Sequence, residues 1–213
     1  MMIADNVLEH HLKDVYWIGG SACSGKTTMS KIISEKYDFT LYNSDEKMLE
    51  HKKIASFWEQ PAMKRHFVDW EWYFNRPVDE YTKWLNDATK EQMSMIIVDL
   101  LKILKDKAVI VEGVFSADMI KNIVDYNNAI FLYAKKHLIR KDYFNRDDKK
   151  DILSVINNLS DPDESLNNVL NTVITGSQQS LERTKNSNMK YLIRNDKSSI
   201  EKTLKCIENH FNL

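Results

Sequence analysis

The stretch WIGGSACSGKTTMSK, residues 17–31, decides the fold of this chain. It holds three of the five glycines in the 213-residue sequence, Gly19, Gly20 and Gly25. From Gly20 to Thr27 it matches G-x-x-x-x-G-K-[ST], the pattern of a loop that binds a phosphate chain. Successive backbone N–H groups of such a loop can surround the charged phosphates, and glycine allows the backbone angles and close approach that this requires.

Each position of this loop carries an expected role. Lys26 is expected to reach the β- and γ-phosphates of a nucleotide and to act in catalysis, and the hydroxyl of Thr27 is expected to bind magnesium. The positive end of the next helix would also face the anion. The residues predicted to bind the nucleotide are Gly20, Ser21, Ala22, Cys23, Ser24, Gly25, Lys26, Thr27 and Thr28.

The flanks of the loop favour this interpretation over an ordinary glycine-rich turn. The motif needs a strand before it and a helix after it. Residues 15–20, VYWIGG, form a β-branched and aromatic run that is typical of a strand. Met29, Ile32 and Ile33 then fall on one face at helical spacing.

Length and composition favour one domain over residues 1–213. The chain is 43% hydrophobic with a formal net charge of −1, which gives no general indication of nucleic-acid or membrane binding. Two cysteines do not make a disulfide framework, and residues 1–14 are too polar for a signal peptide. These features predict a cytoplasmic protein without a membrane span; oligomeric state stays open.

Apolar runs alternate with helical patterns along the chain. Further strands are predicted at 39–43, 108–113, 129–134 and 190–195. Continuous apolar runs suit strands that are buried on both faces, and alternation with helices indicates an α/β fold with a parallel five-stranded sheet flanked by helices. Within it, an aromatic-rich helical insertion is expected at about 45–107.

The helices are predicted from periodicity and from start and stop signals. One begins at a Ser44 or Asp45 cap and ends at Pro61; Gly176 is a possible interruption of another, and residues 157–168 are the best candidate for a mobile loop. The predicted helical ranges are 44–60, 62–77, 78–105, 137–150, 164–185 and 199–211.

Four sequence segments, GGSACSGKTT, NSDE, VIVEG and RKDYFNRDD, resemble the small P-loop kinases, the group of shikimate, gluconate and nucleoside monophosphate kinases. The chain is also similar to poorly characterised bacterial P-loop kinase-like proteins. The resemblance covers most of the chain and implies a P-loop NTPase fold, with ATP and Mg²⁺ as cofactors. Only the first segment is specific, and residues 47–107 resemble no member well enough to indicate a substrate.

The resemblance also implies further site residues. Asp45 stands where these kinases place a carboxylate that contacts the acceptor hydroxyl or acts as its base. Glu112 stands where an acid holds magnesium, usually through water. Arg140 and Arg146 resemble the catalytic arginines of the helix and lid over the nucleotide, and residues 195–198 are where the purine edge is often held.

Each of these residues has a plainer alternative. Asp45 could cap the following helix, because aspartate is a favoured cap. Glu112 could be a solvated charge at a strand end, and Arg140 and Arg146 could belong to an exposed helix face. Cys23 could be a small filler of the loop, or a redox switch if the loop N–H groups lower its pKa.

An aromatic segment at residues 57–84 permits two interpretations. It contains four of the five tryptophans with interleaved basic residues. It could form a cap that stacks on an acceptor, or a small local core, because aromatic side chains on helices usually bury area. Between residues 47 and 78 there are six basic and four acidic residues, too small a surplus for a nucleic-acid footprint.

The predicted function is an ATP-dependent phosphotransferase that acts on an unidentified small-molecule acceptor. Positioning and charge neutralisation carry most of such catalysis. Two alternatives remain open: a nucleotide-binding regulator or NTPase without such an acceptor, and a polynucleotide 5′-end kinase, which the near-neutral charge disfavours.

Overall fold

The computed structural model describes residues 3–103 and 107–213 of the chain. Strands and helices alternate as the sequence predicts. The strands are β1 Val15–Gly20, β2 Thr40–Asn43, β3 Val109–Glu112, β4 Ala129–Ala134 and β5 Lys190–Arg194. The helices are α1 Asp5–His11, α2 Lys26–Tyr37, α3 Ser44–Ile54, α4 Trp70–Phe74, α5 Val78–Ile103, α6 Lys136–Asp142, α7 Lys150–Ile156, α8 Pro162–Asn186 and α9 Ile200–Phe211.

The five strands form one parallel sheet in the order β2-β3-β1-β4-β5. The central strand β1 lies between β3 and β4, with Ile18 opposite both Glu112 and Ile130. The carboxyl ends of β1, β2 and β3 therefore lie side by side. Ligands of open parallel sheets bind beyond this edge, so the fold brings the strand-end residues to one place.

Both faces of the sheet are covered, as its apolar strands predict. One face packs side chains such as Trp17, Val111 and Phe131 against Leu100 of α5 and its neighbours. The other face packs Ile18 and Ile130 with residues of α2 and α9. The two packed layers thus fix β1 and α2, the elements on either side of the loop. Among the described residues, no helix is long and apolar enough to cross a bilayer.

The predicted helix at 62–77 is wrong for most of its length. Only Trp70–Phe74 is helical there, and the side chain of Asp69 caps it by accepting a hydrogen bond from the N–H of Trp72 at 2.7 Å. Upstream, the carboxylate of Glu91 accepts from the N–H groups of Ala62 and Met63 at 2.9 and 2.8 Å. These backbone donors are satisfied by α5, so they need no helical partner.

Other helices differ in their bounds. The predicted helix at 137–150 is α6 followed by turns and a short 3₁₀ segment, Asp147–Lys149. The second half of the predicted loop at 157–168 is helical, because Asp161 caps α8 and Pro162 occupies its first turn, where proline is tolerated. Gly176 does not interrupt α8. The end of the predicted helix at 78–105 lies outside the described residues, and α1 was not predicted.

Candidate functional site

The loop after β1 wraps as its glycines require. Gly20 and Gly25 have φ angles of +121° and +92°, and Cys23 between them also lies in the left-handed region at 59°. A Cβ atom on Gly20 would lie 1.9 Å from the carbonyl oxygen of Leu132. The loop is tied to the sheet because the N–H of Ser21 donates to that same oxygen at 2.9 Å.

The side chain of Lys26 spans the inside of the loop and binds its backbone. Its ammonium donates to the carbonyl oxygen of Ser21 at 2.7 Å, and the hydroxyl of Ser24 donates to the same oxygen at 2.8 Å. The lysine is 7% exposed, and burial lowers its pKa, while the carboxylates of Asp45 and Glu112 oppose that shift. A buried cation at the start of α2, below unpaired helix N–H groups, favours an anionic ligand.

Thr27 and Glu112 meet across the strand ends. The Thr27 hydroxyl donates to Oε1 of Glu112 at 3.0 Å. Burial raises the pKa of Glu112, and the charge of Lys26 opposes the shift. The described part of the chain holds no group of three His, Cys, Asp or Glu side chains placed to bind a metal alone. One hydroxyl and one carboxylate still fit Mg²⁺, which takes its other ligands from phosphates and water.

Asp45 is not the cap of α3, so its plainer alternative and the predicted Ser44 cap are both wrong. The side-chain oxygen of Asn43 accepts from the N–H groups of Asp45 and Glu46 at 3.0 and 3.4 Å, which makes Asn43 the cap. Within the described residues, no hydrogen bond holds the Asp45 carboxylate. It lines a cavity together with Lys26 and Glu112.

The two predicted arginines lie in different places. Arg146 lines the cavity, where its guanidinium donates to both carboxylate oxygens of Asp148 at 2.9 and 2.8 Å. Arg140 does not line it, because its guanidinium donates to Asn167 and Asn171 on α8 at 3.2 and 2.8 Å. The structure therefore brings Arg146, but not Arg140, to the phosphate-binding loop.

Arg194 at the end of β5 is a site residue that sequence reasoning missed. Its guanidinium donates to the carbonyl oxygen of Cys23 at 2.6 Å and pairs with Asp142 at 3.0 Å. Lys149 also lines the cavity and was not predicted. The sequence does place Arg194 at the carboxyl end of a predicted strand, as it does Glu112, and this position could have indicated a site residue.

Cys23 does not have the lowered pKa that a redox switch would use. Burial raises the pKa of its thiol, although the positive charges of Arg146 and Lys26 oppose the shift. A protonated thiol is a poor nucleophile. The left-handed backbone of Cys23 turns the chain between Gly20 and Gly25.

Three neighbouring cavities border the loop and share lining residues. The central one, of about 820 Å³, is lined by residues 22–28 with Asp45 and Glu112. A second, of about 620 Å³, shares Ser24, Gly25, Thr28 and Arg194 with it and reaches Asn195, Lys197 and Ser198. A third, of about 280 Å³, shares Ala22 and Val114 with the central cavity and extends between α5 and α8.

Comparisons with known proteins support the fold. No protein-family model and no curated protein matches the sequence. Solved structures do match. A shikimate kinase from Acinetobacter baumannii in complex with shikimate is 14% identical, with a TM-score of 0.50 over 96% of this chain and 94% of that one. This chain has the P-loop NTPase fold. A dephospho-CoA kinase from Campylobacter jejuni is 19% identical, with a TM-score of 0.43 over 94% of this chain and 96% of that one.

Proposed function

We propose that this protein is an ATP-dependent phosphotransferase with a small-molecule acceptor. The observation that carries the proposal is that three neighbouring cavities border one phosphate-binding loop. The central cavity fits the phosphates, the 620 Å³ cavity fits the nucleoside, and the 280 Å³ cavity opens next to the point where the terminal phosphate would lie. A regulator that only binds a nucleotide does not need the third cavity.

Cationic and N–H groups of the chain would hold the phosphates. Lys26 and the first turn of α2 face the central cavity from below, and Arg146, Lys149 and Arg194 line its other walls. Fixed charges in a partly buried site stabilise phosphoryl transfer because they need no rearrangement during the reaction. Thr27 and Glu112 would hold Mg²⁺, which neutralises phosphate charge when bound.

Asp45 would orient and deprotonate the acceptor hydroxyl. The acceptor oxygen forms a bond to the γ-phosphorus, and the bond from that phosphorus to the β–γ bridging oxygen breaks with its electron pair leaving on ADP. The hydroxyl proton passes to Asp45. Its carboxylate suits this role because it faces the central cavity and has no hydrogen-bond partner among the described residues.

The purified protein with ATP and Mg²⁺ should be screened against a metabolite library, with phosphorylated products detected by mass spectrometry. A Lys26→Met variant is the matched control, since methionine is an unbranched side chain only one atom shorter than lysine and carries no charge. A product formed by the natural protein and not by the variant is the expected result. Binding and hydrolysis of ATP without any product would favour the regulator or NTPase.

A polynucleotide 5′-end kinase is tested in the same assay. A 5′-hydroxyl oligonucleotide is added as one more acceptor, at two salt concentrations. Such a kinase would phosphorylate it with a strong salt dependence, because backbone contacts release counterions. We expect no phosphorylated oligonucleotide, since the third cavity is small and lies between two helices.

A further inference from the structure

The third cavity, here called the acceptor cavity, has a chemistry unlike that of the central cavity. It lies between α5 and α8, and Val114, Phe115, Ser116 and Met119 after β3 also line it. Its volume of about 280 Å³ is at the small end of ligand pockets, which span about 300–1,000 Å³. The occupant must therefore be compact.

The walls of the acceptor cavity are apolar or uncharged. Met48, Leu85, Val114, Phe115 and Val173 supply apolar surface. The polar lining consists of side chains such as Asn86, Ser177 and Gln179, which hydrogen-bond without carrying charge. No carboxylate or ammonium group is found among the described residues that line it. The central cavity, in contrast, is lined by ten acidic and basic residues.

Among the residues of this lining that the structure describes, Arg183 is the one that is charged, and Asp118 already compensates its charge. Its Nε lies 3.3 Å from Oδ1 of Asp118 and donates to the Ser116 hydroxyl at 3.2 Å. Its Nη2 donates to the side-chain oxygen of Asn86 at 2.8 Å. An anionic ligand that recruited Arg183 would have to compete with Asp118 for the same guanidinium, and it would also leave a carboxylate nearby to repel it.

We propose, resting on the phosphotransferase function above, that the acceptor is a compact, uncharged alcohol with a largely apolar body. Its body packs against the apolar walls, and its polar groups bond Asn86, Ser177 or Gln179. Burying an anion in this cavity without a free cation would carry the desolvation penalty of a charge, whereas an uncharged alcohol has only hydroxyl groups to satisfy. Hydroxy acids are consequently excluded as preferred acceptors.

Binding is tested without nucleotide by NMR, with a fragment library of equal numbers of uncharged alcohols and hydroxy acids. The library includes two matched pairs, 4-hydroxycyclohexanecarboxylate and 4-(hydroxymethyl)benzoate with their methyl esters. The proposal expects shifts at acceptor-cavity residues chiefly from alcohols, and at least tenfold tighter binding of each ester than of its acid. Hydroxy acids that bind equally well, or no binding in this cavity by either class, would overturn it.

An Asp118→Asn variant tests the compensation of Arg183 directly. Removing the carboxylate frees the guanidinium, so the two acids should gain several-fold in affinity while the esters change little. Glu9→Gln, an exposed change of the same charge on α1, is the control and should alter neither. Equal affinities in natural and Asp118→Asn protein would contradict the proposal.

Phosphorylation of the binding alcohols with ATP then separates the two proposals. Binding of alcohols without any phosphorylated product would refute the phosphotransferase and leave the cavity assignment standing. Phosphorylation of hydroxy acids alone would support the phosphotransferase and refute the uncharged acceptor.

Discussion

Separate substitution of Asn43 and Asp45 distinguishes a helix cap from a catalytic carboxylate two positions away. Asn43→Ala removes the side-chain oxygen that accepts from two N–H groups of α3. Loss of such a cap costs about 1 kcal/mol of folding free energy, which lowers the melting temperature of a chain of this size by about 2–4 °C. Asn43→Ser keeps a capping oxygen and should recover most of that loss.

Asp45→Asn should have the opposite profile. The side chain makes no hydrogen bond to the described residues, so the melting temperature should stay within about a degree of the natural value. Phosphoryl transfer should fall about a hundredfold, the range of a positioned acid–base group, which equals about 2.7 kcal/mol of transition-state free energy. Nucleotide affinity should hold or rise, because a negative charge beside Lys26 is removed from the phosphate site.

The assay is the initial rate of product formation with the acceptor found by the library screen, together with calorimetric melting of all three variants. Nucleotide affinity is measured separately by titration calorimetry. A fully active Asp45→Asn protein would refute the catalytic role. A drop in melting temperature for Asp45→Asn as large as that for Asn43→Ala would refute the assignment of Asn43 as the cap.

Four further predictions follow from the loop and its surroundings. Lys26→Met should abolish turnover and leave the melting temperature, measured by calorimetry, equal or higher, because burial already disfavours the ammonium. The pKa of Glu112 is raised, so between about pH 4.5 and that raised pKa the folded state keeps a proton that the unfolded chain has lost. The free energy of unfolding, measured by urea titration, should therefore fall as pH rises through this range. Glu112→Gln should remove this fall and raise the Mg²⁺ concentration needed for activity. Arg194→Ala should raise the steady-state KM for ATP about tenfold with a smaller change in kcat, since a hydrogen bond from a charged group to the loop is lost. Gly176→Ala should stabilise the protein by about 0.5–1 kcal/mol in thermal unfolding, because the added Cβ would lie in ordinary contact, 3.5 Å from Cγ2 of Thr82. Unchanged turnover in Lys26→Met, an unchanged pH dependence in Glu112→Gln, an unchanged KM in Arg194→Ala or an unchanged free energy of unfolding in Gly176→Ala would contradict the argument for that variant.

Local patterns were enough to predict the loop and the parallel sheet. The glycines, Lys26 and Thr27 stand at fixed spacing between a strand and a helix, and continuous apolar runs mark buried strands. Glu112 was found because it directly follows such a run. The order of the strands is not a local property, and it was not predicted.

Contacts between distant segments account for what the sequence did not reveal. Arg194 bonds Cys23 across 171 positions, and the acceptor cavity needs α5 and α8 side by side. The helix predicted at 62–77 failed for a related reason, because Glu91 of α5 bonds backbone groups that a helix would have used. The periodicity of one segment does not show that a side chain elsewhere in the chain will bind its backbone N–H groups.

The aromatic segment 57–84 is organised around a buried cation. The guanidinium of Arg76 lies 4.1–4.8 Å from the ring centres of four aromatic residues, and its Nε and Nη2 donate to the carbonyl oxygen of Tyr73 at 3.2 and 2.9 Å. The four rings are those of Trp72, Tyr73, Tyr81 and Trp84. Burial lowers the pKa of Arg76, and the negative ring faces provide the compensation that a carboxylate would otherwise give.

This cluster connects the segment to the helices of the acceptor cavity. Tyr81 and Trp84 belong to α5, and Asn168 of α8 donates to the carbonyl oxygens of Phe74 and Arg76 at 2.6 and 2.8 Å. These contacts hold α4, α5 and α8 together, which favours the local-core interpretation for the rings around Arg76, whereas Phe57 and Trp58 are exposed. None of these four rings lines the acceptor cavity between α5 and α8, so the cluster would affect the proposed acceptor by fixing the separation of the cavity walls rather than by stacking on it.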